Sequence, residues 1–258
     1  MRPLADLRGS GIRGLLFDID ETLTTEGKLT AEAYAAMEAL KRAGRIVVPV
    51  TGRAAGWCDH IARMWPVDAV IGENGAFYFW LGEGKLQRRF HDAPAARAEK
   101  QRRLEGIAQS ILQAVPGCAL ASDQRYRETD LAIDYCEDVP ALPLEAAGRI
   151  AALMRAAGLT ARISSIHVNG WFGDYDKLAM ARTCLRERFG LDLETANRSL
   201  AFAGDSPNDA PMFGFFDNSV GVANVRRFEG VLEQPPKYVT GAAAGAGFAE
   251  LAAHLLAG

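Results

Sequence analysis

LLFDIDETLT, residues 15–24, is an apolar strand that runs straight into three carboxylates. Leu15, Leu16 and Phe17 suit the inside of a sheet, yet Asp18, Asp20 and Glu21 follow at once. Carboxylates at the end of a buried strand are costly unless a metal, a cation or a mouth open to water compensates them. Asp18 and Asp20 alternate along the backbone, so their side chains leave different sides of the strand end and can take different roles.

Working outward, the first third alternates strand and helix. The pattern predicts a strand over Gly14–Asp18, a helix over Thr30–Ala43, a strand over Arg45–Val50, a helix over Ala54–Met64 and a short strand over Val67–Ile71. The last third repeats the idiom with helix Lys177–Phe189, strand Ser199–Ala203, a helix near Asn208–Phe213 and strand Ser219–Val222. Such alternation predicts an α/β fold with a Rossmann-like, doubly wound parallel sheet and helices on both faces.

The middle differs. Phe77–Trp80 and Lys85–Phe90 flank Gly82-Glu83-Gly84, a hairpin signal. A charged helix over Ala95–Ala114 is followed by strand-like stretches at Cys118–Ser122 and Thr129–Tyr135. A helix over Leu144–Ala157 then precedes strands at Thr160–Ser164 and His167–Phe172. Helix-strand-strand, given twice, predicts a small α/β module inserted into the parallel-sheet domain. The expected division is a core of residues 1–88 and 174–258 and an inserted cap of residues 89–173.

Hydrophobic content of 49% with 24% charged residues is that of an ordinary globular chain. A net charge of −3 and the absence of a basic run argue against a nucleic-acid partner. No stretch is long and apolar enough for a membrane span, and MRPLADLRGSGIRG does not suit a signal peptide. Cys58, Cys118, Cys136 and Cys184 are scattered, which fits a reduced, cytoplasmic protein better than a disulfide framework or a thiolate metal site.

Four short stretches stand at the ends of expected strands or at a helix start: Asp18-Ile19-Asp20, Thr51-Gly52-Arg53, Lys177, and Gly204-Asp205-Ser206-Pro207-Asn208-Asp209. In open parallel sheets, ligands bind at the carboxyl ends of strands, so segments far apart in the chain can meet in one crevice. Taken singly, each reads most simply as a cap or turn. Their joint occurrence, in this order, points to chemistry.

With these motifs the chain resembles the haloacid dehalogenase superfamily, and within it the magnesium-dependent phosphatases with an α/β cap between the second and third motifs. DIDETLT looks like the first motif, VVPVTGR the second, Lys177 of DYDKLAMA the third and FAGDSPNDAPMF the fourth. IGENGAFYF, with Asn74 and Gly75, is similar to the segment leading into the cap, and Glu21 stands where glycine is commoner. The resemblance implies that Asp18 is the nucleophile, giving an aspartyl-phosphate, and that Asp20 is the general acid and base. It implies Mg²⁺ on Asp18, Asp205 and the Asp20 main-chain carbonyl, with Asp209 orienting Lys177 or a metal-bound water. Thr51 and Lys177 would hold the phosphoryl oxygens, and Asn208 and Ser206 would shape the loop.

The expected substrate is a small phosphorylated metabolite such as a sugar phosphate. Gly52, Arg53, Asn74 and Asn208 are candidate contacts from the core, although a cap or ion pair is the simpler role for Arg53. Arg125, Arg127, His167 and Asn169 are candidates from the cap; the last two are two residues apart on one strand and share a face. Arg125 with Arg127 would also serve a phosphohexomutase, which needs a grip on a second phosphate. A non-catalytic sugar-phosphate-binding regulator is the remaining alternative, and Asp20 argues against it. Gly9-x-Gly11-x-x-Gly14 precedes a strand, so it is no dinucleotide site. GAAAGAG from Gly241 reads as a flexible loop before a helix over Phe248–Leu256, and the four histidines form no zinc pattern.

Overall fold

The computed structural model describes residues 1–164 and 166–258. From the amino end come β1 (Arg2–Pro3), β2 (Gly14–Phe17), α1 (Ala31–Arg42), β3 (Ile46–Pro49), α2 (Ala55–Met64), β4 (Val70–Gly72), β5 (Phe77–Gly82) and β6 (Lys85–Phe90). The middle carries α3 (Pro94–Ala114), β7 (Ala119–Leu120), β8 (Asp130–Asp134), α4 (Leu144–Ala156), β9 (Thr160–Ile163) and β10 (His167–Trp171). Then follow α5 (Lys177–Phe189), α6 (Leu193–Ala196), β11 (Leu200–Gly204), α7 (Ala210–Phe215), β12 (Asn218–Gly221), β13 (Tyr238–Val239) and α8 (Ala244–Ala257).

The central sheet is six-stranded in the order β1-β13-β12-β11-β2-β3, and every pairing in it is parallel. Its central strands are apolar on both faces because both are covered. Leu16, Val48, Leu200 and Phe202 pack with α5, α6 and α7 on one side. Leu15, Phe17, Val47, Ala201 and Ala203 pack with α1 and α8 on the other. A parallel sheet buried in this way reads as continuous hydrophobic runs. A single bridge, Val50 to Ile71, connects this sheet to the antiparallel β4-β5-β6 ribbon.

The inserted cap is a four-stranded antiparallel sheet, β7-β8-β10-β9, backed by α3 and α4. Its faces differ in kind. Leu131, Ile133, Ala161 and Val168 join Leu104, Ile111, Ile150 and Met154 in an apolar core. The alternate residues, Asp130, Asp134, His167 and Asn169, are polar and nevertheless buried. By the two-residue period of a strand they form the opposite face, and they are buried because the central domain lies against it.

The GAAAGAG stretch departs from expectation, since α8 begins at Ala244 and takes in its last four residues. A Cβ on Gly245 would lie 2.8 Å from the Leu23 carbonyl, so close approach to the loop after β2 explains this glycine. A second glycine sets the position of Lys177. Gly75 has φ +106°, and a Cβ there would lie 2.1 Å from the carbonyl oxygen of Asp176, the N-cap of α5. Only glycine lets the cap-entry turn touch the residue before Lys177. Gly75→Ala is therefore expected to cost about 2 kcal/mol or more from strain and overlap, lowering Tm by at least about 4 °C in a chain this long. An unchanged melting curve would show that the Asp176 carbonyl moves aside without cost.

Candidate active site

The carboxyl ends of β2 and β11 are neighbours at the point where strand order reverses, with β3 on one side and β12 and β13 on the other. Asp18 follows β2 directly, and its N–H donates to Ala203 O of β11 at 2.9 Å. Asp205 follows β11. Lys177 opens α5 and donates from Nζ to Asp18 Oδ1 at 2.9 Å and to Asp209 Oδ1 at 2.7 Å. The other Asp209 oxygen accepts from the N–H groups of Asp205 at 3.1 Å and Ser206 at 3.4 Å. Asp209 thus holds both the lysine and the loop. Among the described residues the Asp205 carboxylate has only neutral donors, Thr22 Oγ1 at 3.3 Å and Asn224 Nδ2 at 3.2 Å.

Three buried carboxylates face one ammonium. Burial raises Asp18 to about 7; Lys177 opposes the rise, and Asp209 and Asp20 add to it. Burial, with Asp18 and Asp209 nearby, pushes Asp205 well above the usual carboxylate range. Burial works against the Lys177 charge, but Asp18 and Asp209 outweigh it and raise the lysine above its ordinary value. One oxygen from each of Asp18, Asp205 and Asp209 lies within 4.8 Å of the others. Excess negative charge and an all-oxygen donor set fit a hard divalent cation.

The Asp20 carboxylate is absent from this cluster because Arg53 clamps it. Arg53 Nε reaches its two oxygens at 3.0 and 3.1 Å, and Nη2 reaches Oδ1 at 2.8 Å. The same Nη2 donates to Glu137 Oε1 of the cap at 2.8 Å. His167 Nε2 lies 2.9 Å from Glu137 Oε2, without hydrogen-bond alignment. His167 and Arg53 hold the Glu137 carboxyl down at about 2, against its partial burial. A chain of charge therefore runs from the core carboxylate Asp20 through Arg53 into the cap.

Asp18, Asp20, Gly52, Arg53, Arg127, His167, Asn169 and Asn208 line one crevice, whose cavity volume is about 10 Å³. That is room for about one water molecule, so the cap is closed on the core. Other expected contacts lie elsewhere. Thr51 is fully buried and does not line the crevice, and its hydroxyl accepts from the Arg53 N–H at 3.0 Å. Asn74, at φ +55°, packs beneath Gly52 and does not line the crevice. Arg125 is exposed and borders clefts outside the crevice, because it sits in a short helical turn directed to solvent. Arg127 reaches the crevice with its guanidinium already committed, pairing with Asp123 at 3.1 Å and Asp130 at 3.0 Å and donating to Gly52 O at 2.9 Å. Asn169 Nδ2 donates to Asp130 Oδ2 at 2.9 Å. Glu21 has φ +57°, the left-handed region that favours glycine, and its side chain accepts from the Gly27 N–H at 3.3 Å, away from the site.

Two residues escaped the sequence reading. Glu137 lies in a loop with no pattern to mark it. Glu73, in IGENG, is a fully buried carboxylate following an apolar strand, the same signal that marked Asp18. Glu73 Oε1 accepts from the N–H groups of Ala55 and of Glu128, each at 2.9 Å, and Oε2 accepts from the Thr129 N–H at 2.7 Å and from the Thr129 hydroxyl. A core carboxylate thus grips the backbone of the cap.

Residues 15–89 match the family of haloacid dehalogenase-like hydrolases. Among solved structures, the chain is similar to Thermoplasma acidophilum 0175, at 18% identity over 95% of this chain and 98% of that one, with a TM-score of 0.70. A putative HAD/COF-like hydrolase from Plasmodium vivax gives 17%, 97%, 98% and 0.68. The sucrose-phosphatase from Synechocystis, solved with sucrose and phosphate, gives 14%, 94%, 97% and 0.63. No curated protein matches the sequence. Residues 15–89 are thus haloacid dehalogenase-like, and the chain as a whole shares the fold of these structures, a Rossmann-like core with an α/β cap. None of its described helices is long and apolar enough to cross a membrane.

The Glu73 clasp carries a pH signature. Burial and Asp130 raise Glu73 to about 7, against Arg127 and the Thr129 and Glu128 hydrogen bonds. A carboxyl raised in the folded state stabilises the fold fully below its unfolded value, and that contribution is lost as pH climbs through the folded value. The Tm advantage of wild type over Glu73→Gln should therefore shrink as pH rises from about 4.5 to about 7. Paired melting curves across this window test it, and a constant or growing difference would mean that Glu73 is ionised throughout.

Proposed function

We propose that the protein is a divalent-metal-dependent phosphatase that hydrolyses the monoester of a small phosphorylated metabolite, a sugar phosphate being the leading class. One observation carries this reading: Lys177 Nζ is held between Asp18 and Asp209, beside Asp205, where the strand order of a parallel sheet reverses. The sucrose-phosphatase likeness supports the substrate class. Residues 89–173 act as the cap that closes on the leaving group.

Asp18 attacks phosphorus in line, its carboxylate oxygen forming the aspartyl-phosphate as the bond to the leaving oxygen breaks. Asp20 donates a proton to that oxygen, then takes one from the water that resolves the intermediate. Arg53 fixes Asp20 by its fork of hydrogen bonds and keeps it clear of the buried cluster. Lys177 sets its positive charge against the transferring phosphoryl group, and Asp209 keeps the ammonium aimed. Asp18, Asp205 and the Asp20 main-chain carbonyl would hold the metal, Mg²⁺ being the proposed ion, with Asp209 supporting them. When bound it would neutralise carboxylate and phosphoryl charge.

The phosphohexomutase alternative needs Arg125 and Arg127 free to grip a second phosphate. Arg127 is tied into buried ion pairs and Arg125 lies outside the crevice, so this pair does not supply that grip. Wild-type protein should release phosphate from p-nitrophenyl phosphate with MgCl₂ and lose that activity in EDTA. Asp18→Asn should reduce turnover by about a thousandfold or more with the circular dichroism spectrum intact. Near-normal turnover by that variant with saturating metal would overturn the nucleophile assignment.

A further inference from the structure

Arg53 and Arg127, the guanidiniums at the crevice, are both neutralised by carboxylates. Two other arginines near the site are not. In the cap sheet Asn169 of β10 lies directly opposite Arg162 of β9. Cross-strand partners share a face, so Arg162 stands on the same core-facing side as Asn169 and His167. β9 is the edge strand. Around that open edge comes Arg155, at the end of α4, whose Nη2 donates to Ala161 O at 3.3 Å.

Both arginines line a cleft between the cap edge and the loop Pro207–Pro211, with a cavity volume of about 220 Å³. Asn208 borders this cleft and the crevice alike, so the two spaces lie side by side with that residue between them. Among the described residues the Arg162 side chain makes no hydrogen bond or ion pair, and Arg155 makes no ion pair. Glu233, the acidic residue on the cleft wall, is exposed and pairs with neither. Two like charges facing one cleft, partly walled by Ile163, Pro207, Pro211 and Val231, repel each other until an anion joins them.

We propose that Arg155 and Arg162 form a subsite for a second anionic group, carboxylate or phosphate, on the part of the substrate that leaves. The inference rests on the phosphatase reading and narrows it: the preferred monoester is a phosphorylated hydroxy acid, a phosphorylated sugar acid or a bisphosphate. The phosphoryl group enters the Asp18 crevice, and the second anion passes Asn208 to reach the arginines. An Arg–carboxylate or Arg–phosphate pair is charge-assisted and often bidentate, which gives such a subsite strong discrimination.

3-Phosphoglycerate and glycerol 3-phosphate differ only by a carboxylate in place of a hydroxymethyl group. With MgCl₂, kcat/KM should be at least tenfold higher for the first, and Arg155→Gln/Arg162→Gln should erase that preference mainly through KM. Activity on glycerol 3-phosphate and p-nitrophenyl phosphate should change less than twofold, and Tm should stay the same. Fructose 1,6-bisphosphate against fructose 6-phosphate tests phosphate as the second anion; an arginine-dependent preference in this pair instead would identify that source. Calorimetric titration of Asp18→Asn with each member of both pairs reads the same discrimination without turnover. A failure of hydrolysis is thus separated from a failure of anion recognition. Equal affinity within both pairs, or equal losses on neutral and anionic ligands in the arginine variant, overturns the subsite.

Discussion

The position of the Lys177 ammonium is the constraint around which the rest of the molecule is arranged. Asp18, Asp205 and Asp209 are packed together almost without solvent, a placement that would drive at least one of them to take up a proton. Lys177 offsets part of that charge only because α5 begins within hydrogen-bonding distance of two strand ends. The approach depends on Gly75, which has no side chain to collide with the Asp176 carbonyl. It depends equally on the packing of Met180, Ala181, Cys184 and Leu185 against the sheet, which sets the axis of the helix. Charge remaining after the lysine is what a divalent cation would balance.

The cap is joined to this centre by polar contacts. Glu73 holds the backbone at Glu128 and Thr129, Arg127 donates to Gly52 O, and Arg53 spans Asp20 and Glu137. Polar junctions of this kind differ from an apolar core, because water can replace each partner where the junction is exposed. The contacts are unequal. Glu73 and Arg127 are fully enclosed, whereas Glu137 is partly exposed.

The two faces of the cap sheet are built for different surroundings. The apolar face is complete in itself, with α3 and α4 supplying the core. The other face is therefore free to carry Asn169, His167 and Arg162, and the strand period places them in register over the crevice and its side cleft. Ala132, opposite Asn169 on the far side, keeps that row from being crowded.

What the sequence determined by itself was the pattern: parallel strands buried on both faces, an inserted helix-strand-strand module, and carboxylates, Thr-Gly-Arg and lysine at element ends. These are local signals, because a strand's period, a helix's spacing and a carboxylate after an apolar run are all read within a few residues. Tertiary structure decided which charges are balanced and which remain available. Arg127 and Arg162 look alike in the chain; burial beside Asp123 and Asp130 binds the first, while an edge strand leaves the second open to a cleft. Glu73 shows the same limit, since its partners stand about 55 residues downstream. The glycines of α8 looked like a flexible loop because close packing against Leu23 has no trace in local sequence. Charge compensation and close approach are set by distances between segments far apart in the chain, and only folding fixes those distances.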